Sequence, residues 1–425
     1  MYANNQISIM KKSCIALFGA VALLAACEKE NTVPKDQLTE RKDFVLTRSD
    51  LDFIQANNGF ALDLFKRVAA KEEGKSTLIS PLSVTVDFGM VNNGAVGETR
   101  DEINRVLGYR EGTVDGLNAF CQSMLVQSGK VDPSTTLNIA NAAVINKMQV
   151  PLKDGFTKTI QSTYDAELIY KVFGQDDVMG LINDWCKKNT NGMIPELLTK
   201  QPKEDEYAHF LNAVYFKGIW SMQFKKKDTK KTDFTLEDGD RISVDMMWQK
   251  DKFNYGSLSD VGRALCLPYG NQAYRMILLL PNEGKTIEDL KEALDADSWQ
   301  TMVKGLSGCE VDVQLPAFET ETPALSLRDA LKEMGIQKAF TTSADFSAMT
   351  DQSIYIGDVF HKAKIKVDET GSEAAAVTDI VMILGSSGLD SEPKVINFHC
   401  DRPFLYAITE VSSGAIFFLG QYTGK

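Results

Sequence analysis

The chain has 425 residues, 44% of them hydrophobic and 24% charged, which places it among globular proteins with material for a large core. Its 58 acidic and 46 basic side chains leave a net charge of -12, which argues against nucleic-acid binding, because neutralising phosphates needs clustered Lys and Arg. The local basic run "KKKDTKK", Lys225 to Lys231, is short and reads as a solvated loop.

From Met10 the chain reads "MKKSCIALFGAVALLAAC", a charged start, an apolar run too short for an ordinary membrane span, and small residues at its end. That pattern is a secretory signal. Its ending, Leu24-Ala25-Ala26-Cys27, resembles the bacterial lipobox, in which cleavage precedes the cysteine and lipid is attached to it. Cys27 is then a lipid anchor; the plainer reading is a signal peptide with an incidental cysteine. Several acyl chains, at about 0.8 kcal/mol per buried methylene, hold a protein on a bilayer firmly where one does so only marginally. The polar stretch "EKENTVPKDQLTERKD" that follows reads as a tether. The expected division is a lipoprotein signal peptide over 1–26, lipidated Cys27 with a tether over 27–50, and one domain over 51–425.

From Leu51, "LDFIQANNGFALDLFKRVAA" sets Phe53, Phe60, Leu64 and Phe65 at helical spacing. In "STLISPLSVTVDFGMVNNGA", Ser80 is placed to cap a helix whose first turn tolerates Pro81. "GETRDEINRVLG" predicts a short helix ended by Gly108. The runs "LNIANAAVINKM" and "AHFLNAVYFKGIW" suit strands buried on both faces, and "RALCLPYG" and "YRMILLLPNEG" read as two more. The final "PFLYAITEVSSGAIFFLGQYTG" reads as a hairpin turning at "SSG". With no repeat or linker after Leu51, the base reading is one mixed domain, helices early and strands late. Beyond Cys14 and Cys27, Cys121, Cys186, Cys266, Cys309 and Cys400 are odd in number and widely spaced, which supports neither a disulfide framework nor a metal site.

Catalytic chemistry finds little footing. Only His209, His361 and His399 are present, each in an apolar or strand-like context, and no metalloprotease, nucleophile-elbow, phosphate-loop or dinucleotide motif occurs. A hydrolase built on His361 and a distant serine has nothing to position its partners. The segment "DETGSEAAAVTDIVMILGSSGLDSEP", Asp368 to Pro393, is the unusual object. Taken at every second residue, Ser372, Ala374, Ala376, Thr378, Ile380, Met382 and Leu384 form a small, apolar, uncharged set, while Glu373 and Asp379 fall on the other face. Such a segment suits a strand facing a core, and as a solvent loop it would expose an apolar run; an ordinary buried strand or helix is the plain alternative.

"DETGSEAAAVT" resembles the hinge of the reactive loop of serpins, the serine protease inhibitor family, with Glu369, Gly371, Ser372, Glu373, Ala374, Ala375 and Ala376 matching position by position. "ISPLSV", "INDWCKKNTNGMI", "LNAVYFKGIW", "VDMMWQ", "VDVQLPAF", "ADFSAM", "DVFHKAKIKVDE" and "NFHCDRPFLYAI" are similar to further segments of that family, in its order, from about Asn57 to Gly424. The resemblance implies an α+β serpin fold of three β-sheets with about nine helices and an exposed reactive-centre loop over roughly 369–394. It implies that a target endopeptidase cuts the loop and stays bound as an acyl ester while the freed strand inserts into the central sheet. About a dozen new backbone hydrogen bonds at roughly 0.5–1.5 kcal/mol each would supply on the order of ten kcal/mol.

Counting along the loop from Gly371 as the family does puts the cleaved bond between Gly385 and Ser386, with Leu384 or Ser386 as alternatives for the residue that precedes it. Gly385 suits an elastase-like pocket and Leu384 a chymotrypsin-like or papain-like cysteine protease pocket. No Arg or Lys lies between Gly371 and Glu392, which disfavours a trypsin-like target whose pocket needs a cation. Ser80, Ser83, Asn212 and His361 carry over as the shutter where central strands part, and Trp220 as the breach where insertion starts. Their plainer reading is a cap, a helix serine, satisfied core polar groups and a packed indole. The expectation is thus a protease inhibitor, not an enzyme, acting as a lipid-anchored monomer in a bacterial envelope, with no cofactor, metal or nucleic acid. The alternative is a non-inhibitory binding or structural lipoprotein of the same shape.

Overall fold

The structure, a computed structural model, describes residues 40–72, 74–109, 114–372 and 395–425. Cys27, Glu373, Ala374, Ala375, Ala376, Leu384, Gly385 and Ser386 lie outside the described residues. Packing begins before the expected domain boundary at 51: Phe44 is buried in the core, and Thr47 caps the first helix in a reciprocal box with Asp50.

In chain order the elements are α1 (Arg48–Lys71), β1 (Thr77–Ile79), α2 (Pro81–Asn92), α3 (Gly97–Val106), α4 (Asp115–Ser128) and β2 (Thr136–Asn146). There follow α5 (Asp154–Tyr164), β3 (Glu167–Lys171), α6 (Val178–Asn189), β4 (Ala208–Ile219), β5 (Lys230–Thr235), β6 (Arg241–Leu258), β7 (Gly262–Tyr269) and β8 (Tyr274–Pro281). Then come α7 (Ile287–Ala293), α8 (Ala296–Lys304), β9 (Ser307–Pro316), β10 (Phe318–Ser326) and α9 (Arg328–Met334). The C-terminal part adds β11 (Phe360–Val367), β12 (Gly371–Ser372), β13 (Ile396–His399), β14 (Phe404–Glu410) and β15 (Ile416–Tyr422).

The basic run read as a loop is a short 3-10 turn, Lys226–Asp228, leading into β5, whose first lysines are exposed and become strand only by pairing with β6. After α3, Gly108 turns the chain at φ 84, and any Cβ there would lie 2.7 Å from the Ala56 methyl, so a glycine ends this helix.

The strands form two hydrogen-bonded sheets among the described residues. One has the order β1-β15-β14-β8-β7-β6-β9-β13, with β5 on β6; the other runs β10-β11-β12-β4-β2-β3. Where three sheets were expected, β6 joins two of them: its 18 residues pair first with β5 and β9 and, further along, with β7. The six-stranded sheet is covered on both faces. Ala143, Ile145, Val214 and Phe216 point into the main core, and Ala142, Val144, Leu211 and Ala213 pack under Val178, Ile182 and Trp185 of α6. This explains the unbroken apolar runs of β2 and β4. Helix α2 is buried along most of its length beside β4. Among the described residues no helix is long and apolar enough to cross a membrane.

Candidate functional site

The site is the seam between β4 and β11, two strands of one sheet that among the described residues are joined only at their upper end. There, β12 sits between them: Ser372 is opposite Val367 on β11 and Gly218 on β4, and Gly371 is opposite Ile219. The approach to this wedge is close. A Cβ on Gly371 would run into the Gly218 carbonyl oxygen and stand 2.7 Å from the Ile219 Cα, so the position accepts no side chain.

A turn holds the two residues in place. The Asp368 carboxylate accepts from the backbone N–H of Thr370 at 2.9 Å and from its hydroxyl at 2.6 Å, and the Asp368 N–H donates to the Gly371 carbonyl at 2.9 Å. Trp220 clasps the turn from the end of β4: its indole N–H donates to the Asp368 carbonyl at 2.9 Å and its backbone N–H to the Thr370 carbonyl at 2.9 Å. The indole stacks on Tyr269 of β7 at 4.4 Å between ring centroids and 13° between planes. The Tyr269 hydroxyl lies 2.6 Å from the buried Ser372 hydroxyl, and burial raises its pKa so that it stays a neutral phenol. Glu369 is tied down as well, its carbonyl accepting from the Phe224 N–H at 2.9 Å and its carboxylate from the Thr229 hydroxyl at 2.8 Å.

Below Ser372, β4 and β11 share no ladder among the described residues. At the level of Phe216 and Ile365 the gap is only a void of about 10 Å³. Further down it opens into a cleft of about 580 Å³ lined by both strands, α2 and the chain from Gln352 to Val359. The four residues expected at the shutter all line it. Ser80 caps α2, its hydroxyl accepting from the Ser83 N–H at 3.3 Å, and its own backbone N–H donates to His361 Nε2 at 3.0 Å. That bond leaves the proton on Nδ1, and burial holds the imidazole down to about 4, so His361 is neutral at physiological pH.

Asn212 lines the same cleft without bonding to the other three: it donates to Asn141 Oδ1 at 2.7 Å, and its own Oδ1 is buried without a partner. His209 lines the same cleft, 2.8 Å from the Glu206 carboxylate, whereas His399 lies apart, 2.8 Å from Asp312. Among the described residues no cluster suited to a metal ion exists, and the five cysteines they include are free thiols.

Sequence reasoning missed Tyr269, Thr229 and Asp87. Tyr269 closes its strand as an ordinary aromatic, and only the packing puts it between Trp220 and Ser372. Asp87 carried a legible signal, an acid inside the apolar run "SVTVDFGMV". A profile described as Serpin (serine protease inhibitor) matches residues 55–424. The chain belongs to the serpin family. Among the serpin's relatives, the leukocyte elastase inhibitor of Homo sapiens is 34% identical over 380 residues, covering 87% of this chain and 98% of that protein. Iripin-2 of Ixodes ricinus is 33% identical over 377 residues, covering 86% and 92%. The native-state crystal structure of tengpin, a thermophilic serpin, shares the fold with a TM-score of 0.77 at 24% identity over 93% of this chain and 97% of that one. Kinship with proteins named as inhibitors makes this a member of a protease-inhibitor family.

Proposed function

We propose that this serpin inhibits serine endopeptidases with elastase-like or chymotrypsin-like pockets, with papain-like cysteine proteases as a further class, by trapping them when the loop after Ser372 is cut. The observation that carries the reading is the half-zipped seam. Gly371 and Ser372 already occupy the position of a strand between β4 and β11, and both neighbours continue downward with unpaired edges among the described residues. Continued in the same register, Ala374 falls between Phe216 and Ile365, Ala376 between Val214 and Ala363, and Thr378 between Asn212 and His361.

The alanines then enter the part of the seam where the void is smallest, and the threonine hydroxyl reaches the unpartnered Asn212 Oδ1. Glu373, Val377 and Asp379 point to the opposite face. Each new ladder bond contributes about 0.5–1.5 kcal/mol, and the gain is withheld until cleavage frees the loop's far end.

Cleavage at Gly385–Ser386, or one residue earlier after Leu384, is part of the same reading, as is attachment of the whole to a bacterial envelope through lipid on Cys27. The serpin is nicked within the loop by a protease panel, its melting temperature is compared with that of the uncut chain, and SDS-resistant adducts are sought. A marked rise in melting temperature, an adduct with an elastase-like enzyme, and loss of that adduct in Ala376→Arg are the expected results. Equal melting of cut and uncut chains with no adduct refutes trapping and leaves a non-inhibitory lipoprotein.

A further inference from the structure

The floor of the cleft holds an acidic side chain that trapping does not use. Ser80, Ser83, Asp87 and Val91 recur at helical spacing and all line it, so one stripe of α2 forms its floor. Asp87 Oδ1 is shut off from solvent and accepts no hydrogen bond, and no cation reaches the carboxyl among the described residues. The Asn212 Oδ1, facing the same space, is likewise without a donor. Burial pushes the Asp87 carboxyl well above its usual range, and no positive charge offsets it.

The rest of the lining fits the same kind of guest. Asp87, Asp205, Glu206 and Asp358 stand against Lys203, Lys362 and His209; His209 is paired with Glu206 at 2.8 Å and Lys362 with Glu321 at 3.1 Å. Tyr355 and Phe360, 52% and 46% exposed, also line the cleft, and Phe88, Phe210 and Met349 supply apolar wall. A buried carboxyl that a cation beside it would let ionise, an amide oxygen lacking a donor, an acidic surplus and an aromatic wall select a donor-rich cation on an apolar body.

We propose that the cleft between β4 and β11 binds a small hydrophobic amine, its ammonium held by Asp87 and Asn212 Oδ1 and its apolar body lying against Phe88, Phe210 and Met349. The amine occupies space the inserting strand would need. Its further consequence rests on the trapping reading: an amine-loaded serpin is cut as a substrate in place of forming an adduct.

The test is calorimetric titration of the uncut full chain with 2-phenylethylamine and its neutral counterpart 2-phenylethanol, repeated on Asp87→Asn. Expected is at least about tenfold tighter binding of the amine than of the alcohol, a preference that Asp87→Asn removes while its circular dichroism is unchanged. Equal affinities, no binding of either compound, or a preference that survives in Asp87→Asn overturns the proposal. Repeating the titration on loop-nicked chain separates the two readings. Nicked chain that melts higher and no longer takes up the amine supports both. Nicking that leaves melting and amine binding unchanged refutes trapping and leaves the site standing; a rise in melting with no amine binding to uncut chain does the reverse.

Discussion

The upper and lower halves of one seam behave differently although the same two strands border both. Above, a glycine with no room for a Cβ and a serine bonded to Tyr269 close the gap between β4 and β11, and Trp220 secures the turn that delivers them. Below, α2 offers a polar stripe, His361 accepts from the Ser80 backbone, and among the described residues one carboxyl oxygen of Asp87 and the Asn212 side-chain carbonyl have no donors. A sheet thus zips where small side chains let backbones meet and every polar group finds a partner, and it stays parted where buried polar atoms still want one.

The contrast can be broken first at its clasp. Trp220→Ala removes the stacked indole and orphans the Asp368 carbonyl, and is expected to cost about 3–5 kcal/mol, read by denaturant unfolding together with faster amide exchange at Gly371 and Ser372. Acid attacks the lower half. Burial depresses the His361 pKa in the fold to about 4 from its ordinary value of 6.5, so the unfolded chain binds the extra proton between these values. Stability is therefore full above about 6.5 and falls by roughly 3 kcal/mol as pH drops to about 4. Unfolding midpoints across that window, compared with His361→Asn, check this: the variant is expected to lose much less on acidification.

Smaller effects sharpen the picture. Gly371→Ala forces a methyl into the β4 backbone and is expected to cost about 1–3 kcal/mol in thermal unfolding, with the Tyr269–Ser372 contact loosened. Asp87→Ala works in the opposite direction: removing a buried, unpartnered carboxyl stabilises by on the order of 1–2 kcal/mol at neutral pH, seen as a raised melting temperature. Thr229→Val deletes one bond to Glu369 and costs about 1 kcal/mol, the smallest shift of the series.

Much of the scaffold was readable residue by residue. Ser80 followed by Pro81 announced the start of α2, and the unbroken apolar runs of β2 and β4 predicted burial on both sides. The lysines opening β5 were not readable as strand, since their side chains are exposed and only the ladder to β6 makes them so. Nor was the length of β6, whose exposed Lys and Asp residues look like loop until β5, β9 and β7 are laid against it. Tyr269 stands 103 residues from Ser372 in sequence, beyond the reach of any local pattern.

What the sequence determined by itself is the family, the period-two sorting of small and charged residues after Gly371, and the serine cap of α2, because each depends on neighbours a few positions away. The tertiary structure decided that Gly371 and Ser372 are already seated between β4 and β11, that Trp220 stacks on Tyr269, and that one carboxyl oxygen of Asp87 and the side-chain oxygen of Asn212 face one cleft with no hydrogen-bond donor among the described residues. Those facts arise where distant segments meet in space, and the energy of a buried polar atom depends on what stands opposite it and not on what lies beside it in the chain.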